Sequence, residues 1–285
     1  PPLPPPPPFQ AYAVLNQCNY VVLDEADRMV DLGFEPQVVA VLDAMPAGSM
    51  KPEGEDEAVE EEGRVYRTTY MFSATMPAAV ERLARAYLRR PVVVTIGRAG
   101  NVATTVTQRV RMVKDNEKAG ALAAEMARVG RGDRAIVFVN TRAAADDVAR
   151  RLETSGRRTV TLHGGRAQDA REAGLAAFRS GECPILIATD VAGRGLDVAG
   201  VTLVVNYDMP ASVEAYTHRI GRTGRAGAKG EAATFLTLKD ADTFYELKQL
   251  LEASGARVPA ELASHEKARA PPAGGRREKV QFAKK

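Results

Sequence analysis

Asp24, Glu25 and Asp27 follow directly on an apolar run in the stretch NYVVLDEADRMVDLGFEP. Two readings suit that arrangement. A strand that reaches the surface and passes into a solvated helix would look the same. Closely spaced carboxylates at a strand end would also serve as hard oxygen ligands for a divalent metal and as a base for water. HRIGRTGRAG is a second cluster with chemical possibilities. If SVEAYTHRIGR is helical, with Ser212 as N-cap and Val213, Tyr216 and Ile220 turned to the core, His218, Arg222 and Arg225 fall at i, i+4 and i+7 on one face. Arginines separated by glycines suit a triphosphate whose charge grows during transfer, and a basic surface turn suits them equally well.

Other polar groups sit where strands should end: Ser73 and Thr75 after TTYMF, His163 to Gly165 after RTVTL, and Thr189 with Asp190 after PILIA. In open parallel sheets ligands bind just beyond the carboxyl ends of the strands, where loops and helix N-termini converge. The elements that must position these groups are legible as short apolar runs. NYVVLD, TTYMFSAT and PVVVTIG read as strands in the first part, including burial of Val21, Val22 and Leu23. AIVFVN, RTVTLH, PILIATD and VTLVVNYD read as strands in the second. RAAADDVARRLETSG and AQDAREAGLAAFRSG between them read as helices closed by glycine. The fold class is therefore α/β, with parallel sheets in both parts.

RAGNVATTVTQ lacks periodicity and reads as a linker over 98–108, dividing a first lobe at 17–97 from a second at 109–255. Residues 1–16 are a proline-rich segment, PPLPPPPPF at its start, expected to be stiff polyproline II. The Pro, Gly and Lys-rich residues 256–285 read as a mobile basic tail. A hydrophobic content of 45% can fill a core, and Cys18 and Cys183 are too few and too far apart for a disulfide framework or a CxxC zinc site. No apolar run reaches the roughly 18–20 residues that would span a bilayer, so the expectation is a soluble intracellular protein with no membrane partner. The net charge of +3 is small, but KPEGEDEAVEEEG sets seven acidic groups against one lysine while HRIGRTGRAGAKG and GGRREKVQFAKK are basic. The acidic run reads as a solvated loop, and the basic stretches could face a polyanion.

In order, VLDEAD, SAT, IVFVNT, LHGG with Gln168 and Arg171 following, ATDVAGRGLD and HRIGRTGR resemble the motif series of the DEAD-box ATP-dependent RNA helicases. The series covers residues 20–230, and DEAD with SAT and HRIGRTGR favours RNA over DNA as the substrate. The surrounding sequence is similar to the spliceosomal branch that acts with the tri-snRNP at the 5′ splice site. The resemblance implies RecA-like (P-loop NTPase) lobes, ATP and Mg2+ as cofactors, RNA as partner, spliceosomal proteins as further partners and a nuclear location. It also implies roles. Asp24 would hold the magnesium through water, Glu25 would act as general base, and Arg222 and Arg225 would stabilise the γ-phosphate. Gly195 and Asp197 would bind ATP, Asp197 at the ribose. Asp27 would tie to Ser73, Thr75 and His218, coupling hydrolysis to contact between lobes. Thr141, Arg142, His163, Gly164, Gly165, Gln168, Arg171 and Thr189 would grip the RNA backbone without reading bases.

One part of the pattern is missing. No GxxxxGK[ST] occurs in the sequence, although the backbone N–H groups, lysine and hydroxyl of such a loop normally cradle phosphates and magnesium. The expectation is a fragment whose first lobe is incomplete and whose second lobe is complete, a truncated or mis-assembled helicase product inactive on its own. The competing expectation is a non-catalytic RNA-binding or scaffold module built on the second lobe.

Overall fold

In the computed structural model, the described residues are 15, 18–31, 33–45, 67–95, 105–130, 132–190 and 198–270. They fall into two units, one ending at Thr95 and one beginning at Thr105. The proline-rich start, the acidic run and the end of the basic tail lie outside the described residues, as do Gly195 and Asp197.

In the first unit β1 (Tyr20–Leu23) pairs in parallel with β2 (Thr68–Met71), Leu23 opposite Met71. Helices α1 (Ala26–Asp31) and α2 (Glu35–Asp43) follow β1, and α3 (Ala78–Tyr87) follows β2. Val21 and Leu23 pack with Leu42, Met45 and Leu83 into a small core. Val22, expected to be buried with its neighbours, is 61% exposed. Successive strand side chains point to opposite faces, and the helices described here cover one face of this two-stranded sheet. PVVVTIG also departs from expectation. Its described part, Pro91–Thr95, forms no strand, and Val92 to Val94 are exposed. A β-branched run becomes a strand only when a neighbour accepts its ladder bonds, and no described strand pairs with it.

The second unit is a six-stranded parallel sheet, among the described residues, in the order β3-β8-β7-β4-β6-β5. Its elements run β3 (Val106–Met112), α4 (Lys118–Met126), β4 (Arg134–Phe138), α5 (Arg142–Thr154), β5 (Thr159–Leu162), α6 (Gln168–Ser180), β6 (Ile185–Ala188) and β7 (Val201–Asn206). After them come α7 (Val213–Ile220), β8 (Gly230–Leu236), α8 (Phe244–Ala253) and α9 (Ala260–Ser264). Strand alternation divides the core: Ala135 and Val137 of β4 pack toward Leu122, Met126, Val148 and Leu152 of α4 and α5. Ile136 and Phe138 pack toward Phe178 of α6 on the other face. Tyr216 and Ile220 of α7 join Phe244, Leu247 and Leu251 of α8 beside β3 and β8.

β3 occupies the last residues of the stretch expected to be a linker, and β8 had no strand signature at all. Both are made possible by distant partners. Arg109 on β3 pairs with Glu231 on β8 and, at 2.6 Å, with Glu125 on α4. Gln108 accepts from the Tyr216 hydroxyl at 2.9 Å and donates to Ser254 Oγ at 3.0 Å. Polar side chains satisfied in this way occupy strand positions that a periodicity argument assigns to loop. Residues 256–270 of the expected mobile tail likewise form part of the fold. There α9 and the turn Glu266–Ala268 bury Leu262 and Ala268 against the α8 core.

Candidate functional site

In the first unit the ladder of β1 and β2 continues one step past the strands: Phe72 N–H donates to Leu23 O at 2.8 Å and Ala26 N–H to Phe72 O at 3.1 Å. That step brings DEAD and SAT together. The fully buried Asp27 carboxylate accepts from Thr75 N–H at 2.7 Å, Thr75 Oγ1 at 3.0 Å and Arg28 N–H at 3.0 Å. Ser73 Oγ in turn accepts from Asp27 N–H at 3.1 Å and donates to Thr75 O at 2.6 Å. A buried carboxylate satisfied by backbone and hydroxyl donors is a rigid joint between two strand ends.

Asp24 is exposed at the same edge, and one of its oxygens accepts from Glu25 N–H at 2.9 Å. Glu25 has φ +52, a left-handed conformation that costs an L-residue about 1–2 kcal/mol. Its carbonyl accepts from the N–H groups of Arg28 and Met29, so it opens α1 from that strained position. Exposed carboxylate oxygen is the donor type Mg2+ prefers, with water completing its shell. The residues present fit the metal, and Asp24 is the one that would hold it.

In the second unit the polar groups gather at the carboxyl edges of β4, β6 and β5, which are adjacent in the sheet. Thr141 caps α5, its Oγ1 accepting from Ala144 N–H at 3.1 Å, and Arg142 is exposed beside it. His163, 5% exposed, lies at the end of β5; its Nδ1 accepts from Gly165 N–H at 3.1 Å and its Nε2 lies 3.3 Å from Asp146. A Cβ on Gly164 would stand 3.2 Å from Arg142 Nη2, so glycine lets the guanidinium fold over the loop. Thr189 directly follows β6, where its N–H donates to Leu162 O at 3.2 Å. At the start of α6, Arg171 donates to Gln168 Oε1 at 3.1 Å.

HRIGRTGR does not present one helical face. Ser212 caps α7 through Ala215 N–H at 3.1 Å, and Val213, Tyr216 and Ile220 are buried, but α7 ends at Ile220. The chain then turns, with Thr223 Oγ1 donating to Val201 O at 2.5 Å and Gly224 at φ +69. Arg222 and Arg225 therefore leave the turn, their Nε atoms donating back to His218 O at 3.3 Å and Gly221 O at 2.8 Å. His218 Nε2 lies 3.9 Å from Glu214. The residue missed in the sequence is Arg219, 2% exposed. Its signal was available: it falls three positions after Tyr216, on the buried side of α7.

Residues 9–83 match the DEAD/DEAH box helicase model, and residues 117–227 match the helicase conserved C-terminal domain. Parallel α/β units carrying these two matches in this order make the chain a member of the DEAD-box ATP-dependent RNA helicase family. Within it the chain is 59% identical over 255 residues to DEAD-box ATP-dependent RNA helicase 21 of Oryza sativa subsp. japonica, covering 90% of this chain and 34% of that protein. It is 51% identical over 267 residues to the pre-mRNA-splicing ATP-dependent RNA helicase prp28 of Aspergillus clavatus, covering 92% of this chain and 33% of the relative. The crystal structure of the RNA helicase Prp28 from Chaetomium thermophilum bound to ADP superposes with a TM-score of 0.51 at 42% identity, over 90% of this chain and 58% of that one. The chain thus spans about a third of the length of these curated relatives. No helix among the described residues is long and apolar enough to cross a membrane.

Proposed function

We propose that the chain carries the RNA-gripping and hydrolysis-coupling parts of an ATP-dependent RNA helicase that acts on pre-mRNA splicing in the nucleus. The observation that carries this reading is the shared sheet edge of the second unit, where Thr141, Arg142, His163, Gly164, Gly165 and Thr189 stand on three adjacent strand ends. Hydroxyl and guanidinium groups, with Gln168 and Arg171 on α6, suit phosphates and sugars, contacts that hold a strand without reading its bases. The pre-mRNA-splicing RNA helicases among its relatives support the same substrate, and with it a nuclear location and spliceosomal proteins as partners.

In this reading Asp24 would hold Mg2+ and Glu25 would act as general base. Arg222 and Arg225 would neutralise the γ-phosphate, Gly195 would bind the nucleotide, and Asp197 would hold its ribose. Asp27, bonded to Ser73 and Thr75, would hold the two strand ends of the first unit in a fixed arrangement beside Asp24 and Glu25. The second reading, a binding module without turnover, is favoured by the absence of GxxxxGK[ST] from the 285 residues. Both readings meet in one experiment on this chain. Retention of single-stranded RNA is expected, without RNA-stimulated phosphate release above background. Release that disappears in Glu25→Gln would show that this chain turns over ATP, and failure to retain RNA would overturn the RNA-gripping reading.

A further inference from the structure

We propose that Arg219 is the positioning residue that sets the spacing of the RNA-gripping edge, an inference that rests on the reading above. The guanidinium is 2% exposed, and an Arg has five N–H groups to satisfy. All five find acceptors. Nε donates to Asp190 Oδ1 at 2.6 Å; Nη2 donates to Asp190 Oδ2 and to Asn140 Oδ1, each at 2.8 Å. Nη1 donates to Asp208 O at 2.7 Å and, more weakly, toward Asn206 Oδ1 at 3.5 Å. The cation also lies over the Phe138 ring, 5.2 Å from its centroid.

Burying a guanidinium is costly unless every donor is met, and an apolar side chain would fill the same space at no electrostatic cost. What the arginine adds is geometry. Its partners lie at the carboxyl ends of β4, β6 and β7, and two of them are chain neighbours of gripping residues. Asn140 immediately precedes Thr141 and Arg142, and Asp190 immediately follows Thr189. Asp208 closes the ring, its Oδ2 accepting from Asn140 N–H at 3.1 Å and its Oδ1 from Lys118 Nζ at 2.8 Å. One planar fork therefore fixes two strand ends at a set separation, which a lysine ammonium cannot do. The same helix carries His218, whose carbonyl accepts from Arg222. Arg219 thus anchors the start of the arginine turn to the RNA edge.

The test is a salt titration of single-stranded RNA binding by the whole chain as wild type, Arg219→Lys and Asp190→Asn, with urea melts to establish that each variant is folded. Both variants are expected to bind about tenfold more weakly, the loss of roughly one charge-assisted bond. The slope of log affinity against log salt should become shallower by about 0.7 for each phosphate that the displaced edge no longer holds. A merely structural arginine would lower the folded fraction and leave the slope of the folded molecules unchanged. If neither variant folds, Asn140→Ala, which removes one of the five bonds, is read in their place. Wild-type affinity and slope in a folded variant overturn the inference and leave the functional reading standing. A wild-type chain that binds no RNA overturns both.

Discussion

Gly224 is the point at which the arginine turn leaves the end of α7, and Gly224→Ala is expected to cost the second unit about 3–5 kcal/mol. Three contributions make up that figure. The residue stands at φ +69, where an alanine costs roughly 1 kcal/mol more than glycine. A Cβ would lie 2.6 Å from Val106 Cγ2 and 2.9 Å from Thr105 Oγ1. Val106 is a buried, β-branched strand residue with little rotamer freedom, so overpacking of about 1–3 kcal/mol follows. Displacement also breaks the bond from Thr105 Oγ1 to Gly224 O at 2.8 Å, worth about 1 kcal/mol. With a urea slope of roughly 2 kcal/mol/M for a unit of this size, the midpoint should fall by about 1.5–2.5 M. Gly227→Ala is the internal control, because Gly227 is also at positive φ, +80, but nothing lies within 4 Å of its Cβ position. It should shift the midpoint by about 0.5 M, the conformational cost alone. Equal shifts in the two variants would refute the steric part of this reasoning, and no shift in Gly224→Ala would refute the turn itself.

Glu231 is held below the ordinary carboxylate range chiefly by its bond to the Arg109 guanidinium. A depressed carboxylate stabilises the fold fully above its unfolded value, near 4.5, and loses that contribution as pH falls through the lower folded value. Glu231→Gln should therefore lower stability at pH 7 by about 1 kcal/mol after allowing for solvent screening, and the difference from wild type should shrink in melts below pH 4.5. Hydrogen exchange should separate the two units. Amides of β4, β6 and β7, with strands on both sides and helices on both faces, should be strongly protected. Those of β1 and β2, which have only one another as described strand neighbours, should exchange much faster. Equal protection in both units would contradict this.

The parts of the fold that were legible in the sequence are those whose reasons are local. β1, β2 and β4 to β7 are apolar runs, and α5 and α6 end at Gly156 and Gly181, both at positive φ. β3 was hidden because Gln108 and Arg109 occupy strand positions on the strength of partners on α4, α7 and β8. β8 was hidden because its strand is alanine-rich, with Ala232 and Ala233 buried in the sheet. PVVVTIG failed for the opposite reason, having the composition of a strand without a described neighbour to pair with. The site was legible in the same uneven way. Polar groups at strand ends were visible, but the Asp27–Ser73–Thr75 cluster joins residues 46 and 48 positions apart, and only resemblance suggested it. Arg219 was passed over because its neighbours, His218 and Arg222, carried the motif.

The proposal that the second unit grips an RNA backbone is tested most directly by competition binding of the chain to two single-stranded RNAs of unrelated base sequence and to the DNA version of one of them. Hydroxyl, amide and guanidinium contacts to phosphate and sugar predict equal affinity for the two RNAs, weaker binding of the DNA through loss of the 2′-OH, and a strong fall with salt. A marked preference for one RNA sequence, or equal binding of RNA and DNA, would contradict the account.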